Sequence, residues 1–485
     1  MITQRKSRSG GRWVAPLFLA AMIGIAGCDF LDPTKVENPR TTADDLANAQ
    51  EPTRALLPGL RAQFARLIAA NTVVSEVVSD NFSIHGTGLF KEWDSPRDVT
   101  PTVANSTGTS TGNYWNAQEL RALASFVIDE IAPGDETAAA EDVAEAHYYR
   151  GMAYLLLAEN FSYAPLARDE APVPATQLLT FAVQDLQAAT GAGGEVATAA
   201  QAGLARAYRW QGDAASAAAA ANAVLGADAT FLFLQEYDAS SIDNSPFAFL
   251  VLRALQEMQP LPRLDFLDPK YLDREQGIAV AKAEEMHLIL AEIALAGGNL
   301  PGARDALGAA IDLAQSRTTT SFFDEDPRLN ADLSVRPRSS AIEIRADANS
   351  PYISGLVLDR PGNTTQRVVS GTSVAAADVA DMSADELWYA FHLVRQEILF
   401  LEGRRMADLG IRLPMMLREI DANSAIDPGD PGTLAFVPAY IPPADQMDLF
   451  TPASPYDGNG NLVTNQVTMT VDMNRILADN LVTPF

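Results

Sequence analysis

The sequence predicts a mainly α protein in which helical hairpins carry long irregular insertions. Three observations predict it. Apolar residues recur at the 3.6-residue helical period over several long stretches. Two of those stretches repeat one another. The segments between them are rich in Pro, Gly, Ser, Thr, Asn and Asp, which punctuate rather than propagate regular structure. Apolar residues make up 47% of the 485, enough for a sizeable core.

The N-terminus is a leader, not part of the fold. Arg5, Lys6, Arg8 and Arg12 form a basic start, and residues 13–25 are apolar. Ile25-Ala26-Gly27-Cys28 then reads as a lipobox, with small residues before a thiol that takes the lipid. The apolar run is short for a spanning helix, and nothing downstream offers about 18 consecutive apolar residues. Cys28 is the sole cysteine, so an internal disulfide is excluded and lipidation is its expected role. The expected organisation is a signal peptide over residues 1–27, a lipidated tether over 28–41 and a single domain over 42–485.

The domain opens with a predicted helix over 42–71, with Thr42 as cap and a break or kink expected at Pro52 and Pro58. Residues 81–113 read as a long loop, and a helix follows over 115–131. Another long helix is expected over 141–159. Residues 199–225 and 284–312 align on Gly212-Asp213 and Gly298-Asn299, with Leu204-Ala205 matching Leu290-Ala291 and Ala217 matching Ala303. Each unit is helix, tight Gly-containing turn, helix. Gly permits the left-handed conformation that ends the first helix. This is the tetratricopeptide pattern, in which stacked hairpins bury what one hairpin cannot. Helix 141–159 looks like the start of a further unit, with Gly151 and Tyr154 at matching positions. Residues 230–275 and 316–382 are irregular, 384–409 return to helix, and a short helix is expected near 471–480.

Charge narrows the function classes. The chain carries a net −27, and its only strongly basic stretch lies in the leader. Nucleic-acid binding needs clustered Lys and Arg and is excluded on this ground. No HExxH, P-loop, GxGxxG or GxSxG pattern is present, and no pair of carboxylates stands out as an acid/base dyad, so an enzyme is not the expectation. No cofactor is implied and no metal site is expected. His147, His287 and His392 start three different helices and are read as packing. Asp457-Gly458-Asn459-Gly460-Asn461 resembles the first half of a calcium loop. Leu462 and Thr468 stand where the loop needs Gly and Glu, so it reads as a turn. Glu402, Arg405 and Asp408, three apart, are expected to pair along one helix face, with Gly403 allowing close helix approach. The candidate ligand residues are aromatic ones whose rings offer an apolar face: Phe90, Trp93, Tyr114 and Trp115, with Asn116 beside them. For Trp115, which opens a helix, core packing is the competing reading. Tyr237, Phe322 and Phe323 are weaker candidates.

An ordered set of segments resembles one family, the SusD/RagB-type outer-membrane lipoproteins. After the lipid cysteine come DFLDP at 29–33, SEVVSD at 75–80 and EAHYYRGMAYLLLAENFSYAPL at 145–166. EMHLILAEIAL at 285–295, EGRRMADL at 402–409 and YIPPADQMDL at 440–449 follow. Two stretches depart from the pattern, residues 394–397 and the turn at 160–166, which lacks the usual Asp. The resemblance implies a SusD-like helical fold and a surface-exposed, lipid-anchored place on the outer membrane. It implies capture of an oligosaccharide or peptide-like nutrient for a SusC-like TonB-dependent transporter, with the ligand site near residues 81–116. A scaffold lipoprotein that uses its repeats to organise other envelope proteins stays open as the alternative.

Overall fold

The computed structural model describes residues 50–84, 90–106, 112–252, 258–324, 336–443 and 446–485. The leader, Cys28 and the tether lie outside them, as do residues 42–49 of the first expected helix.

Among the described residues the first helix begins at Pro52, after bends at Gln50 and Glu51, so the expected break falls there. A proline lacks only an N–H that the first turn leaves unbonded anyway. Helix α1 runs Pro52–Val78 and passes Pro58 without stopping. Every residue from Leu67 to Val78 is buried. That explains why the period alone ends the helix too early, at 71: a helix buried all round shows no polar face.

Helix α2, Asn113–Ser125, runs on into a π-helical turn over Phe126–Ile131. Six helices follow as three hairpins: α3 (Ala140–Asn160) with α4 (Ala175–Ala189), α5 (Gly194–Gln211) with α6 (Ala214–Ala227), and α7 (Ala283–Ala296) with α8 (Leu300–Ser316). Neighbouring hairpins stack through α4 on α5 and α6 on α7. The aligned turns use the same device. Gly212 and Gly298 sit at φ 72° and 70°. The next residues, Asp213 and Asn299, cap the second helices by accepting from the backbone N–H of Ser216 and Gly302. A Cβ on Gly151 would stand 2.8 Å from Leu186, and one on Gly203 would stand 3.1 Å from it. Leu186 of α4 therefore wedges between two glycines on α3 and α5, which sets how closely the first two hairpins approach.

Helix α9, Ala384–Ile398, packs on α7 and α8, and the final helix α10, Met473–Asp479, packs on α9. The segments expected to be irregular hold short strand pairs. Phe82–Ile84 runs antiparallel to Met258–Pro260, Leu232–Gln235 to Ile278–Lys282, and Thr320–Asp324 to Gly362–Gln366. The Asp457 segment is a turn: its carboxylate accepts from the N–H groups of Asn459 and Asn461 while Tyr456 bridges Leu462.

The expected continuous helix over 384–409 is broken. Leu401 and Gly403 take positive φ, and only Arg405–Asp408 is helical again. Glu402, Arg405 and Asp408 therefore do not pair with one another. Glu402 Oε1 accepts from Lys270 Nζ and Lys282 Nζ at 2.5 Å each. Arg405 grips Asp80 through Nε (2.6 Å) and Nη2 (2.8 Å). Asp408 accepts from Arg395 Nε at 2.7 Å. The segment thus ties the end of α1, the strand at Ile278–Lys282 and α9 together. Gly403 does allow close approach: a Cβ there would meet Asn71 Nδ2 at 2.7 Å and Thr72 Cα at 3.2 Å.

Candidate functional site

Two clefts share one wall, the indole of Trp115 in the first turn of α2. The first, about 480 Å³, is bounded by Gln63, Arg66 and Ala69 of α1, Trp115 and Glu119 of α2, and the loop 241–245. The second, about 360 Å³, lies on the other side and takes in Gln118, Arg121, Pro165, Glu419 and Asn423. Trp115 is half-buried, held by a hydrogen bond from its Nε1 to Glu119 Oε2 (3.1 Å), one turn on. The guanidinium of Arg418 lies 4.9 Å from its ring centre.

The walls are fixed by polar contacts, the innermost of them buried. Gln63 Nε2 donates to Asn116 Oδ1 (3.0 Å), and Asn116 Nδ2 donates to the Gly112 carbonyl (2.8 Å), which locks the start of α2 on α1. Asp243 is paired with Arg274, and Asn244 Nδ2 donates to the Gln276 carbonyl, holding the 241–245 loop. On the other side Gln118 Nε2 donates to the Pro165 carbonyl (3.0 Å), and Asn423 Nδ2 to that of Glu170 (3.0 Å). Burial pushes the Tyr114 hydroxyl well above its ordinary pKa, so it stays a neutral part of the second wall. The arrangement offers one aromatic face, amide and guanidinium donors and carboxylate acceptors. That is a set suited to holding a polyhydroxylated ligand by stacking and hydrogen bonds.

The architecture has known counterparts. A SusD superfamily protein of Bacteroides fragilis superposes with a TM-score of 0.51 at 15% identity, over 79% of this chain and 100% of that one. A protein of Bacteroides vulgatus, named as a candidate sugar binding protein, does so with a TM-score of 0.50 at 14% identity, over 78% of this chain and 98% of that one. This chain has the SusD-superfamily fold. No protein-family model matches it, and no curated protein does.

In this SusD-type frame, Phe90 and Trp93 are core, whereas Tyr114 and Asn116 are buried and still line the second and the first cleft. Trp93 is 1% exposed. Phe90 is buried edge-on to Phe249 at 6.1 Å. Tyr114 is buried against Phe161 at 5.0 Å, and Asn116 is the buried lock described above. Polar sequence around Phe90 and Trp93 made them look accessible, but both side chains are buried among the core hydrophobics. Trp115 is the one whose ring borders open space on two sides. Tyr237 is buried, its hydroxyl donating to the Ala65 carbonyl, and Phe322 and Phe323 border neither cleft. The three histidines sit apart on α3, α7 and α9, with His147 Nδ1 2.7 Å from Asp185 Oδ1. Burial holds the His392 imidazole near a pKa of about 3, hence neutral. Among the described residues no group of three or more His, Cys, Asp or Glu converges as for a metal, and no helix is long and apolar enough to cross a membrane.

Sequence reasoning missed Gln63, Arg66, Gln118, Arg121 and Arg418. For Gln118 a signal existed, since it lies one turn beyond Trp115 on α2. For Arg418 none did, because it reaches Trp115 from a distant segment.

Proposed function

We propose that this chain is a lipid-anchored outer-membrane protein that binds a nutrient, an oligosaccharide or peptide-like molecule, at Trp115 and hands it to a SusC-like TonB-dependent transporter. The observation that carries the reading is a half-buried indole standing between two clefts in a SusD-type fold. Trp115 supplies the stacking face, and the amide and charged side chains around it supply directional bonds. Binding needs no covalent step and no cofactor. Lipidation of Cys28 provides the anchor, and the acyl chains hold an acidic protein that would gain nothing from an anionic lipid surface.

Two measurements test it. Calorimetric titration of the mature chain with a panel of oligosaccharides is expected to find binding that Trp115→Ala weakens. Pull-down of the tagged, lipidated protein from native membranes is expected to bring a TonB-dependent barrel in stoichiometric amount. Inner-membrane or periplasmic partners without such a barrel would overturn the transporter reading in favour of a scaffold. The shallow cleft along the hairpins, bounded by Gln187, Gln201 and Tyr208, is where a scaffold partner would lie.

A further inference from the structure

We propose that the ligand held at Trp115 is an acidic oligosaccharide, whose carboxylate or sulfate groups are taken by Arg66, Arg121 and Arg418. The inference rests on the proposed function above, takes its oligosaccharide branch and names that saccharide's class.

Asp and Glu number 62 against 35 Lys and Arg, so an arginine has carboxylates in abundance to pair with. The buried arginines do pair: Arg206 with Glu159, Arg209 with Glu292, Arg404 with Glu285 and Arg405 with Asp80. The three around Trp115 are held by neutral groups. Arg66 Nη1 donates to Gln63 Oε1 (3.3 Å), Arg121 Nε donates to Gln118 Oε1 (2.7 Å), and Arg418 lies over the indole. None has a carboxylate at ion-pair distance among the described residues. Arg121 also bonds the Tyr154 hydroxyl, again a neutral group.

Of the acidic groups in the same walls, one forms an ion pair and two accept from neutral donors and keep their charge. Glu119 accepts from Trp115 Nε1, Asp243 pairs with Arg274, and Glu419 bonds the Tyr114 hydroxyl. Three guanidiniums without a carboxylate partner thus stand beside two carboxylates without a cationic one, and positive charge is in excess. It lies on both sides of the indole: Arg66 in the first cleft, Arg121 in the second and Arg418 across the ring. A guanidinium presents a planar fork that fits a carboxylate or a sulfate with two parallel bonds. A chain of sugar rings lying across Trp115 would bring charged substituents to arginines on either side.

The test is calorimetric titration of the mature chain with four probes of matched length: a neutral glucan, an oligogalacturonate, a sulfated chondroitin oligosaccharide and an oligoglutamate peptide. The proposal expects at least one acidic saccharide to bind about ten-fold or more tighter than the glucan at low salt. The advantage should shrink as salt is raised, because these arginines are partly solvated. Preference for the galacturonate assigns carboxylates, and preference for the chondroitin probe assigns sulfates. Arg66→Gln, Arg121→Gln and Arg418→Gln should each lower the acidic-to-neutral ratio, by about three- to ten-fold. Equal binding of neutral and acidic saccharides would overturn the charge assignment and leave the saccharide reading standing. Failure of every saccharide while the peptide binds would overturn the acidic-saccharide assignment and leave the peptide-like branch of the proposed function standing.

Discussion

Trp93 and Trp115 carry the same indole in opposite surroundings, and their substitutions should separate cleanly. Trp93 is enclosed by the core around the strand Phe82–Ile84, so Trp93→Ala should cost about 3–5 kcal/mol of stability, read as a lower urea midpoint. Trp115 borders open clefts and is anchored by one hydrogen bond. Trp115→Ala should leave the urea midpoint close to wild type while weakening ligand binding about ten-fold. A binding defect in Trp93→Ala with wild-type stability would reverse these assignments. Gly403 gives a third residue-scale prediction. Its φ is +73° and a Cβ would press on Asn71 and on the backbone of Thr72. Gly403→Ala should therefore destabilise the protein by about 1–3 kcal/mol, through backbone strain and loss of the close packing on α1.

At the scale of elements, the two aligned turns predict different penalties for the same change. Gly212 and Gly298 both hold left-handed φ, so alanine at either pays that conformational cost, about 1 kcal/mol. At Gly212 a Cβ would also sit 2.9 Å from the Pro484 carbonyl oxygen, whereas at Gly298 nothing lies within reach. Gly212→Ala should accordingly lower the urea midpoint more than Gly298→Ala, and equal shifts would deny that residues 482–484 pack on the second hairpin. These turns were legible in the sequence because everything that makes them is local: a glycine, a capping Asp or Asn, and small residues at helical spacing. Helix α4 carried a local signal too, with Leu178, Leu179, Ala182 and Leu186 on one face, yet it went unread between its louder neighbours. The strand pairs were not legible. Phe82–Ile84 finds its partner at Met258–Pro260, and no short-range pattern announces such a pairing. The clefts fall in the same class. Trp115 was visible as an aromatic near the right segment, but its depth and its company come from α1, the 241–245 loop and residues 418–423, brought together only by the fold. Polarity of the surrounding sequence was a poor guide to exposure, as Phe90 and Trp93 show.

For the molecule as a whole, the stack of hairpins is joined by buried ion pairs that make its stability depend on pH. Glu285 on α7 lies between three arginines from separate elements: Arg404 at 3.2 Å, Arg395 of α9 at 3.7 Å and Arg206 of α5 at 3.8 Å. Burial alone would raise its pKa, but Arg404, Arg206 and Arg395 outweigh burial and hold it at about 2, below the ordinary 4.5. A carboxylate whose folded pKa is depressed adds stability above its unfolded value and loses it as pH falls towards the folded one. The window is thus pH 4.5 down to about 2, and the contribution is on the order of 3 kcal/mol. Asp80 and Asp408 are depressed in the same direction by their own arginines, so the whole chain should weaken steeply there. Glu285→Gln isolates one member. It removes the charge and leaves the buried Arg404 without a carboxylate, while Arg206 and Arg395 keep Glu159 and Asp408, and it should cost about 3–5 kcal/mol at pH 7. Urea midpoints of wild type and variant should lie far apart at pH 7 and converge as pH falls to 3, because the wild type loses there what the variant never had. A gap that stays constant across that range would mean that the arginines do not hold Glu285 ionised, and that apolar packing between α5, α7 and α9 sustains the stack without it.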